Sequence, residues 1–227
     1  MCPGFSAAPF RNSVNLFESS LRRLSSMFDH LHLQDADVSI YQTAKQGNWC
    51  TGDGYYGVRA DGYVLIAVAD GLGSGEEAMH ASKQAMEVIA EDHSLHLKTL
   101  MERCNEKMWG TRGAVLSILR IYIADKTCEY INVGNITCNF YHPDGKMIRP
   151  VPQRGYLSGR KQKLRVQTWP YEKGMVFSMY SDGFPQDPLA NRVFDYEDTP
   201  EEIMDRISSL FEYVDDDATV MIGKAYV

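Results

Sequence analysis

The most constraining feature of the chain is an unbroken apolar run that ends in an aspartate and a glycine-rich turn. Residues 64–69 are Val-Leu-Ile-Ala-Val-Ala, and residues 70–75 follow as Asp-Gly-Leu-Gly-Ser-Gly. Such a run between turn residues is typical of a fully buried strand, and glycines allow a sharp bend without Cβ clashes. Ser74 and Glu77 have the spacing of a capping box, which predicts a helix beside the turn. Asp70 should therefore lie at a strand end, with its carboxylate free to bind a hard cation.

Three further acidic positions lie next to strand-like segments. An isolated aspartate before a glycine turn is often only a turn residue that accepts backbone hydrogen bonds. Here a second apolar run, over residues 175–180, also ends near an aspartate that is followed by glycine, Asp182. Asp53 follows a short strand candidate, and Asp215-Asp216-Asp217 precede another apolar segment. Four acidic points are therefore expected at strand edges.

Converging carboxylates repel each other and raise each other's pKa, and a divalent cation removes that penalty. Oxygen ligands suit Mg²⁺ or Mn²⁺, whereas zinc calls for Cys or His at characteristic spacings. The sequence offers no such Cys or His set. The acidic positions therefore predict a magnesium or manganese site.

The order of these acidic motifs resembles the bacterial branch of the PPM family of metal-dependent serine/threonine phosphatases, over roughly residues 38–227. Within that branch the chain most resembles the RsbX-type stressosome phosphatases. The segments that carry the resemblance are Gly52-Asp53, Ala69-Asp70-Gly71-Leu72-Gly73-Ser74-Gly75, Glu102-Arg103-Cys104-Asn105, Arg112-Gly113-Ala114, Val133-Gly134-Asn135, Gly155-Tyr156-Leu157-Ser158-Gly159, Tyr171-Glu172-Lys173-Gly174, Ser181-Asp182-Gly183 and Asp216-Asp217-Ala218-Thr219.

The resemblance implies a centre of two Mn²⁺ or Mg²⁺ ions. Asp70 would bridge both ions, and Gly71 would contribute its carbonyl to one of them. Asp182 and Asp216 would complete the other, and Asp53 would hold metal-bound water. Two such ions can activate a water molecule and bind phosphoryl oxygens, so no cysteine or serine nucleophile is needed. The resemblance thus implies catalytic roles for Asp53, Asp70 and Asp182.

The chain departs from the family pattern at two points. Eukaryotic members place Glu before the first Asp, where this chain has Gly52. They also use an upstream Arg for the substrate phosphate, and the nearest basic candidate here is Lys45. At the last motif, alignment of Asp216-Asp217-Ala218-Thr219 with the family's Asp-Asp/Asn-x-Thr pattern favours Asp216 as the metal ligand. Asp217 is then expected to support the site through hydrogen bonds.

Many strands with a few clustered helices favour an α+β domain with antiparallel sheets over a doubly wound parallel one. The resemblance implies a four-layer α/β/β/α sandwich with two stacked, mainly antiparallel sheets whose Asp-bearing strand ends meet at one edge. Thr199-Pro200-Glu201-Glu202 has the pattern of a helix start. The sequence predicts strands over 38–44, 55–59, 63–70, 114–124, 128–134, 136–142, 146–150, 163–169, 174–181 and 218–226, and helices over 75–91, 97–108 and near 200–212.

The N-terminal part lies outside the resemblance, so we divide the chain into an N-terminal helical extension over 1–37 and a phosphatase domain over 38–227. Apolar residues recur in this part at helical spacing and predict one apolar helix face. That face could pack on the domain, or it could be exchanged in a dimer or docked on a target. The residues that form it are Phe17, Leu21, Leu24, Phe28 and Leu31.

Composition narrows the possible partners. The net charge of −7 and the lack of a basic, aromatic-interleaved patch argue against nucleic acid. No apolar stretch approaches the roughly 20 residues needed to span a bilayer, so we expect no membrane partner. Five cysteines without a Cys-x-x-Cys pair suggest thiols in a reducing cytoplasm, where we expect the protein.

These inferences predict a phosphatase that removes phosphate from serine or threonine on bacterial stress-signalling proteins. The resemblance implies phosphorylated stressosome scaffold proteins as partners and a role in resetting the stress response. Two alternatives are a phosphatase of a phosphorylated anti-sigma-factor antagonist and a catalytically silent phosphoprotein-binding module. The family's flap would fall near 150–165, a basic stretch that is either a solvated loop or a surface for an acidic or phosphorylated partner. Its basic residues are Arg149, Arg154, Arg160, Lys161, Lys163 and Arg165.

Overall fold

The computed structural model describes residues 27–184, 186–190, 194–208, 214 and 216–226. Within these ranges the chain forms eleven strands and three helices. The strands are β1 (Met27–Leu33), β2 (Ala36–Thr43), β3 (Asp53–Ala60), β4 (Tyr63–Gly71), β5 (Ala114–Tyr122), β6 (Thr127–Val133), β7 (Thr137–Tyr141), β8 (Met147–Ile148), β9 (Val166–Pro170), β10 (Val176–Tyr180) and β11 (Ala218–Ala225); the helices are α1 (Glu76–Asp92), α2 (Leu97–Lys107) and α3 (Pro200–Ile207).

The strands form two sheets in which every pair of neighbours is antiparallel. One sheet has the order β1-β2-β11-β10-β7-β8, and the other has the order β3-β4-β5-β6-β9. Strand β4 shows why the predicted apolar run has no polar alternation. Val64, Ile66 and Val68 pack in a core shared with the six-stranded sheet, while Leu65 and Ala67 pack in a core shared with α1 and α2. Both faces of β4 are covered, so both must be apolar.

Helix α3 covers the outer face of the six-stranded sheet. Its Ile203 and Met204 pack in one core with Val220 and Ile222 of β11. The layers are therefore α1 and α2, the five-stranded sheet, the six-stranded sheet and α3. This confirms the predicted α+β fold with a four-layer sandwich.

The two predicted helix starts have different outcomes. Thr199 caps α3 in a full capping box with Glu202, and Pro200 is the first helical residue, as predicted. The capping box predicted for Ser74 and Glu77 is wrong, because the N-cap of α1 is Gly75 and no side chain caps the helix. Gly75 has a φ of 74°, which glycine adopts readily and other residues rarely do, so the helix begins one residue later than the sequence pattern indicated.

Strand β1 was not predicted from the sequence. It pairs with β2 as a hairpin, and Phe28 packs its ring against Tyr41 at 5.1 Å between centroids. The helical face predicted to include Phe28 and Leu31 is wrong at these residues, because cross-strand pairing overrides their helical spacing. Its other members, Phe17, Leu21 and Leu24, lie outside the described residues. The division into 1–37 and 38–227 stays a prediction, with β1 part of the sheet.

Several smaller predictions can be compared with the structure. The strand predicted over 146–150 is reduced to β8, and the one over 163–169 begins later, at Val166. Four cysteines in the described ranges are buried and unpaired, as expected for thiols: Cys50, Cys104, Cys128 and Cys138. None of the helices in these ranges is long and apolar enough to cross a membrane.

Tyr171 joins the loop before β10 to the end of β11. Its fully buried hydroxyl donates to the Met175 carbonyl at 2.8 Å and accepts from the Ala225 amide at 3.0 Å. We predict that Tyr171→Phe lowers the free energy of unfolding by about 1–3 kcal/mol, because it leaves both buried backbone groups without this partner. Urea denaturation measures the change. Tyr226→Phe, which removes the hydroxyl of a half-exposed ring that donates to Asp37 Oδ2 in a solvent-exposed hydrogen bond, is the control, and equal effects of the two variants would contradict the prediction.

Candidate functional site

The acidic strand ends of both sheets meet at one edge. Asp53 of β3 and Asp70 of β4 are direct cross-strand partners, which puts their Cβ atoms about 4.5–5.5 Å apart on one face. Asp182 follows β10, and Asp217 precedes β11 in the other sheet. The hydroxyl of Ser181 donates to Asp53 Oδ2 at 2.7 Å and thereby joins the two sheets at this edge.

Asp53 is held by a chain of hydrogen bonds that crosses the sandwich. Its carboxylate is almost fully buried, and Ser181, its donor, accepts in turn from the Thr219 amide at 2.9 Å. Gln42 Nε2 donates to the Thr219 hydroxyl at 2.9 Å. Asp53 Oδ1, by contrast, is buried and has no hydrogen-bond partner among the described residues. One oxygen is therefore fixed, and the other is available to a cation or to water.

The carboxyl groups of Asp53 and Asp70 both have raised pKa values. Burial raises the pKa of Asp53 to about 7, although the hydrogen bond from Ser181 opposes the shift. Burial also raises the pKa of Asp70 to about 8, with further contributions from the nearby charges of Asp53 and Asp182. A hard cation would relieve both desolvation and repulsion, so this set of oxygens fits one.

Glycine is required at the turn after β4. Gly71 donates its amide to the Gly52 carbonyl at 3.1 Å, and a Cβ atom on Gly71 would lie 1.9 Å from the carbonyl oxygen of Ala78 in α1. A Cβ atom on Gly52 would in turn lie 3.0 Å from Asp217 Oδ2 and 3.6 Å from the Gly71 carbonyl oxygen. The absence of a side chain at Gly52 thus leaves the space beside both oxygens free.

Asp216 and Asp217 have different surroundings, while Asp215 lies outside the described residues. Asp217 is buried; its Oδ1 accepts from the Lys45 amide at 2.8 Å, and its Oδ2 has no partner among the described residues. Asp216 is exposed, and its Oδ1 accepts from the Asp217 amide at 2.9 Å and from Lys45 Nζ at 3.2 Å. Asp217 makes the hydrogen bond expected of it but also presents a second open carboxylate oxygen. The ligand role of Asp216 stays a prediction.

Residues to which the sequence analysis assigned no role support the acidic edge. Asn135 Nδ2 donates to Asp182 Oδ2 at 2.7 Å, which orients this exposed carboxylate. Asn135 belongs to the Val133-Gly134-Asn135 segment of the resemblance, so a signal for it was present. Ser181 also belongs to a segment of the resemblance, next to Asp182, whereas no sequence pattern pointed to Gln42.

A cavity of about 770 Å³ opens at this edge. Asp70, Asp182 and Asp216 contribute to its wall, together with Arg149 and Arg154. Lys45 is not among its lining residues, and its ammonium is paired with Asp216. The role of Lys45 in phosphate binding stays a prediction, and the two arginines are additional cations that the sequence analysis did not connect with the acids.

Within the described ranges, no group of three or more His, Cys, Asp or Glu side chains is arranged so that it could hold a metal ion without other ligands or a change in side-chain positions. Repulsion between carboxylates favours such spacing. Mg²⁺ usually keeps several waters and takes only one or two carboxylates, so a complete protein cage is not required. The groups that could contribute are the unpartnered oxygens Asp53 Oδ1 and Asp217 Oδ2, the carboxylates of Asp70, Asp182 and Asp216, and the carbonyl of Gly71.

Two stacked antiparallel sheets with acidic residues at one edge are the fold of the PPM phosphatases, which is also called the PP2C fold. The family model described as "Stage II sporulation protein E (SpoIIE)" matches residues 60–225, and the chain belongs to this family within the PPM phosphatases. It is 33% identical to the "Phosphoserine phosphatase RsbX" of Bacillus subtilis (strain 168) over 185 residues, which are 82% of this chain and 92% of that protein.

Solved structures show the same similarity. A crystal structure of RsbX in complex with magnesium superposes with a TM-score of 0.81 and 32% identity, covering 88% of this chain and 100% of that one. A structure described as "The bacterial stressosome: a modular system that has been adapted to control secondary messenger signaling" superposes with a TM-score of 0.75 and 29% identity, covering 84% and 100%. The chain thus shares its fold with these proteins over 84–88% of its length.

The raised pKa values predict how the stability of the chelated protein depends on pH. A carboxyl whose folded-state pKa exceeds its ordinary value stabilises the fold at low pH and loses that contribution as pH rises through the folded pKa. In EDTA, the melting temperature should therefore fall between about pH 4 and pH 8, the window set by the pKa values of Asp53 and Asp70. Asp53→Asn should reduce this fall, because it removes one of the repelling charges.

The matched control is Asp125→Asn, a substitution at an exposed turn position far along the chain from these acids. Its melting temperature should follow the pH dependence of the wild type. A melting temperature that rises from pH 5 to pH 8 in EDTA would contradict the raised pKa values.

Proposed function

We propose that this chain is a Mn²⁺- or Mg²⁺-dependent phosphatase that hydrolyses phosphoserine or phosphothreonine on a bacterial stress-signalling protein. The observation that carries the proposal is the meeting of Asp53, Asp70 and Asp182 from two sheets beside one cavity, with a buried carboxylate oxygen left open. A binding module that catalyses no reaction would gain nothing from placing mutually repelling carboxylates together. The silent binding module is therefore the less favoured alternative.

The proposed roles follow from the position of each group. Asp70, Asp182, Asp216 and the Gly71 carbonyl would hold two ions, and Asp217 Oδ2 is a further candidate ligand. The ions would lower the pKa of a water molecule and screen the phosphoryl oxygens. Asp53 Oδ1 would accept a hydrogen bond from that water, because Oδ2 is already engaged by Ser181.

Two observations support the choice of metal. The available donors are carboxylate and carbonyl oxygens, which suit Mg²⁺ and Mn²⁺ better than softer metals. The similar RsbX structure was solved in complex with magnesium. We therefore propose two such ions per site.

The proposed substrate class rests on the relatives. A curated relative is named a phosphoserine phosphatase, and a similar structure is described under the bacterial stressosome. We propose phosphorylated stressosome scaffold proteins as partners, with a cytoplasmic location. The family model carries the name of a sporulation protein, so a phosphorylated anti-sigma-factor antagonist remains the second candidate.

Asp182→Asn tests the metal-dependent chemistry, because it keeps the shape of the side chain and removes a ligand charge. We expect a loss of kcat on the order of 100-fold with p-nitrophenyl phosphate and Mn²⁺, since bound metal ions stabilise the transition state by several kcal/mol and the variant loses part of that stabilisation. Asp125→Asn should keep wild-type turnover, and EDTA should abolish turnover of the wild type. Full activity of Asp182→Asn with an unchanged melting temperature would exclude the proposed role of Asp182.

A second experiment addresses the partner. The purified wild-type protein is given equal concentrations of a phosphorylated stressosome scaffold and a phosphorylated anti-sigma-factor antagonist, and phosphate release is followed with Mn²⁺. We expect a higher kcat/KM for the scaffold. Faster turnover of the antagonist would instead favour the second candidate.

A further inference from the structure

The cavity beside the acidic edge has two arginines in its wall, and they differ in their engagement. Arg149 is tied to the protein: its Nε donates to Asn139 Oδ1 at 3.0 Å, and its Nη2 donates to the Tyr180 hydroxyl at 3.3 Å. Arg154 is exposed, lines the same cavity and makes no hydrogen bond or ion pair with any described residue. Arg154 is therefore a cation available to a ligand.

The backbone next to Arg154 is fixed to the turn that supports Asp182. Gln153 accepts from the Gly134 amide at 2.8 Å through its carbonyl, and its amide donates to Asn132 Oδ1 at 3.2 Å. The neighbouring Asn135 holds Asp182. The position of Arg154 is thus coupled to the acidic edge through one short turn, rather than set by a free loop.

The other side of Arg154 is also fixed. Leu157 and Ala114 exchange two backbone hydrogen bonds of 2.8 and 3.1 Å. The half-exposed ring of Tyr156 lies over Gly113, where a Cβ atom would come within 2.8 Å of it. Buried Asn105 accepts from the Ser158 and Gly159 amides at 3.0 and 3.2 Å and donates to the Arg160 carbonyl at 2.8 Å. Asn105 is a positioning residue for this segment.

We propose that Arg154, with Tyr156 beside it, is the anion-recognition element for the phosphorylated substrate. This rests on the proposed phosphatase function and adds the residue that selects the substrate. The guanidinium has the fork geometry that binds phosphate or carboxylate oxygens in pairs. The oxyanion is either the reacting phosphate or a carboxylate that flanks the phosphoserine.

Charge and size support this assignment. The chain has a net charge of −7, and the cavity wall holds several carboxylates, so a protein cation beside the proposed metal ions favours the approach of an anionic substrate. Lys45, the candidate from the sequence, is paired with Asp216. A volume of about 770 Å³ exceeds what a phosphate group alone requires and leaves room for neighbouring residues of a protein substrate. Arg and Tyr side chains are also frequent centres of binding energy in protein interfaces.

Arg154→Gln tests the proposal, and Arg165→Gln is the matched control. Arg165 is exposed, carries the same charge in the same basic stretch and does not line the cavity. Steady-state kinetics with Mn²⁺ are measured on p-nitrophenyl phosphate and on a phosphoserine peptide with acidic flanking residues. We expect Arg154→Gln to lower kcat/KM for the peptide by about 10- to 100-fold, mainly through KM, because a charge-assisted hydrogen bond is lost.

The two substrates distinguish the two sources of the oxyanion. An equal rise in KM for both would place Arg154 on the reacting phosphate. A larger rise for the peptide would place it on a flanking carboxylate. KM values for Arg154→Gln that match those of Arg165→Gln on both substrates would overturn the inference. A wild-type protein without Mn²⁺-dependent hydrolysis of either substrate would instead refute the proposed function.

Discussion

The hydrogen bond from Ser181 to Asp53 is the interaction on which the arrangement of the site depends. It joins an aspartate at the start of β3 to a serine just after β10, and these residues belong to different sheets. Thr219 and Gln42 extend the same chain of hydrogen bonds across the six-stranded sheet. A buried carboxylate is tolerated only when its oxygens are satisfied, and this network satisfies one of the two. The other oxygen is left for chemistry.

The clustered carboxylates that the proposed chemistry requires lower the stability of the fold at this edge. Asp53 and Asp70 are brought together by antiparallel pairing, and their raised pKa values reflect burial and mutual repulsion. Asn135 and Lys45 offset part of the negative charge at Asp182 and Asp216. The remaining repulsion is a stability cost that makes sense if cations bind there, because binding to the folded state alone stabilises it.

One short turn supports both an acidic residue of the site and the arginine that we propose selects the substrate. The turn over residues 132–135 supports Asp182 through Asn135 and the backbone before Arg154 through Asn132 and Gly134. The proposed metal ligand Asp182 and the proposed substrate-binding cation Arg154 are thus both supported by one short segment. The fixed backbone on both sides of Arg154 costs less conformational entropy on binding than a mobile loop would, which favours a role in recognition.

The elements that could be predicted from the amino-acid sequence are those whose signal is local. The apolar run of β4, the turn at Asp70 and Gly71, and the capping box at Thr199 are patterns within a few residues, and the order of the acidic motifs indicated the family and its fold. The folded structure was needed to establish that residues 27–33 form a strand, that Asp217 is buried while Asp216 is exposed, that Ser181 holds Asp53, and that Arg154 shares a cavity with the acids. These facts depend on pairing and packing between segments far apart in the chain, and hydrophobic periodicity and local turn chemistry carry no information about which distant residues meet.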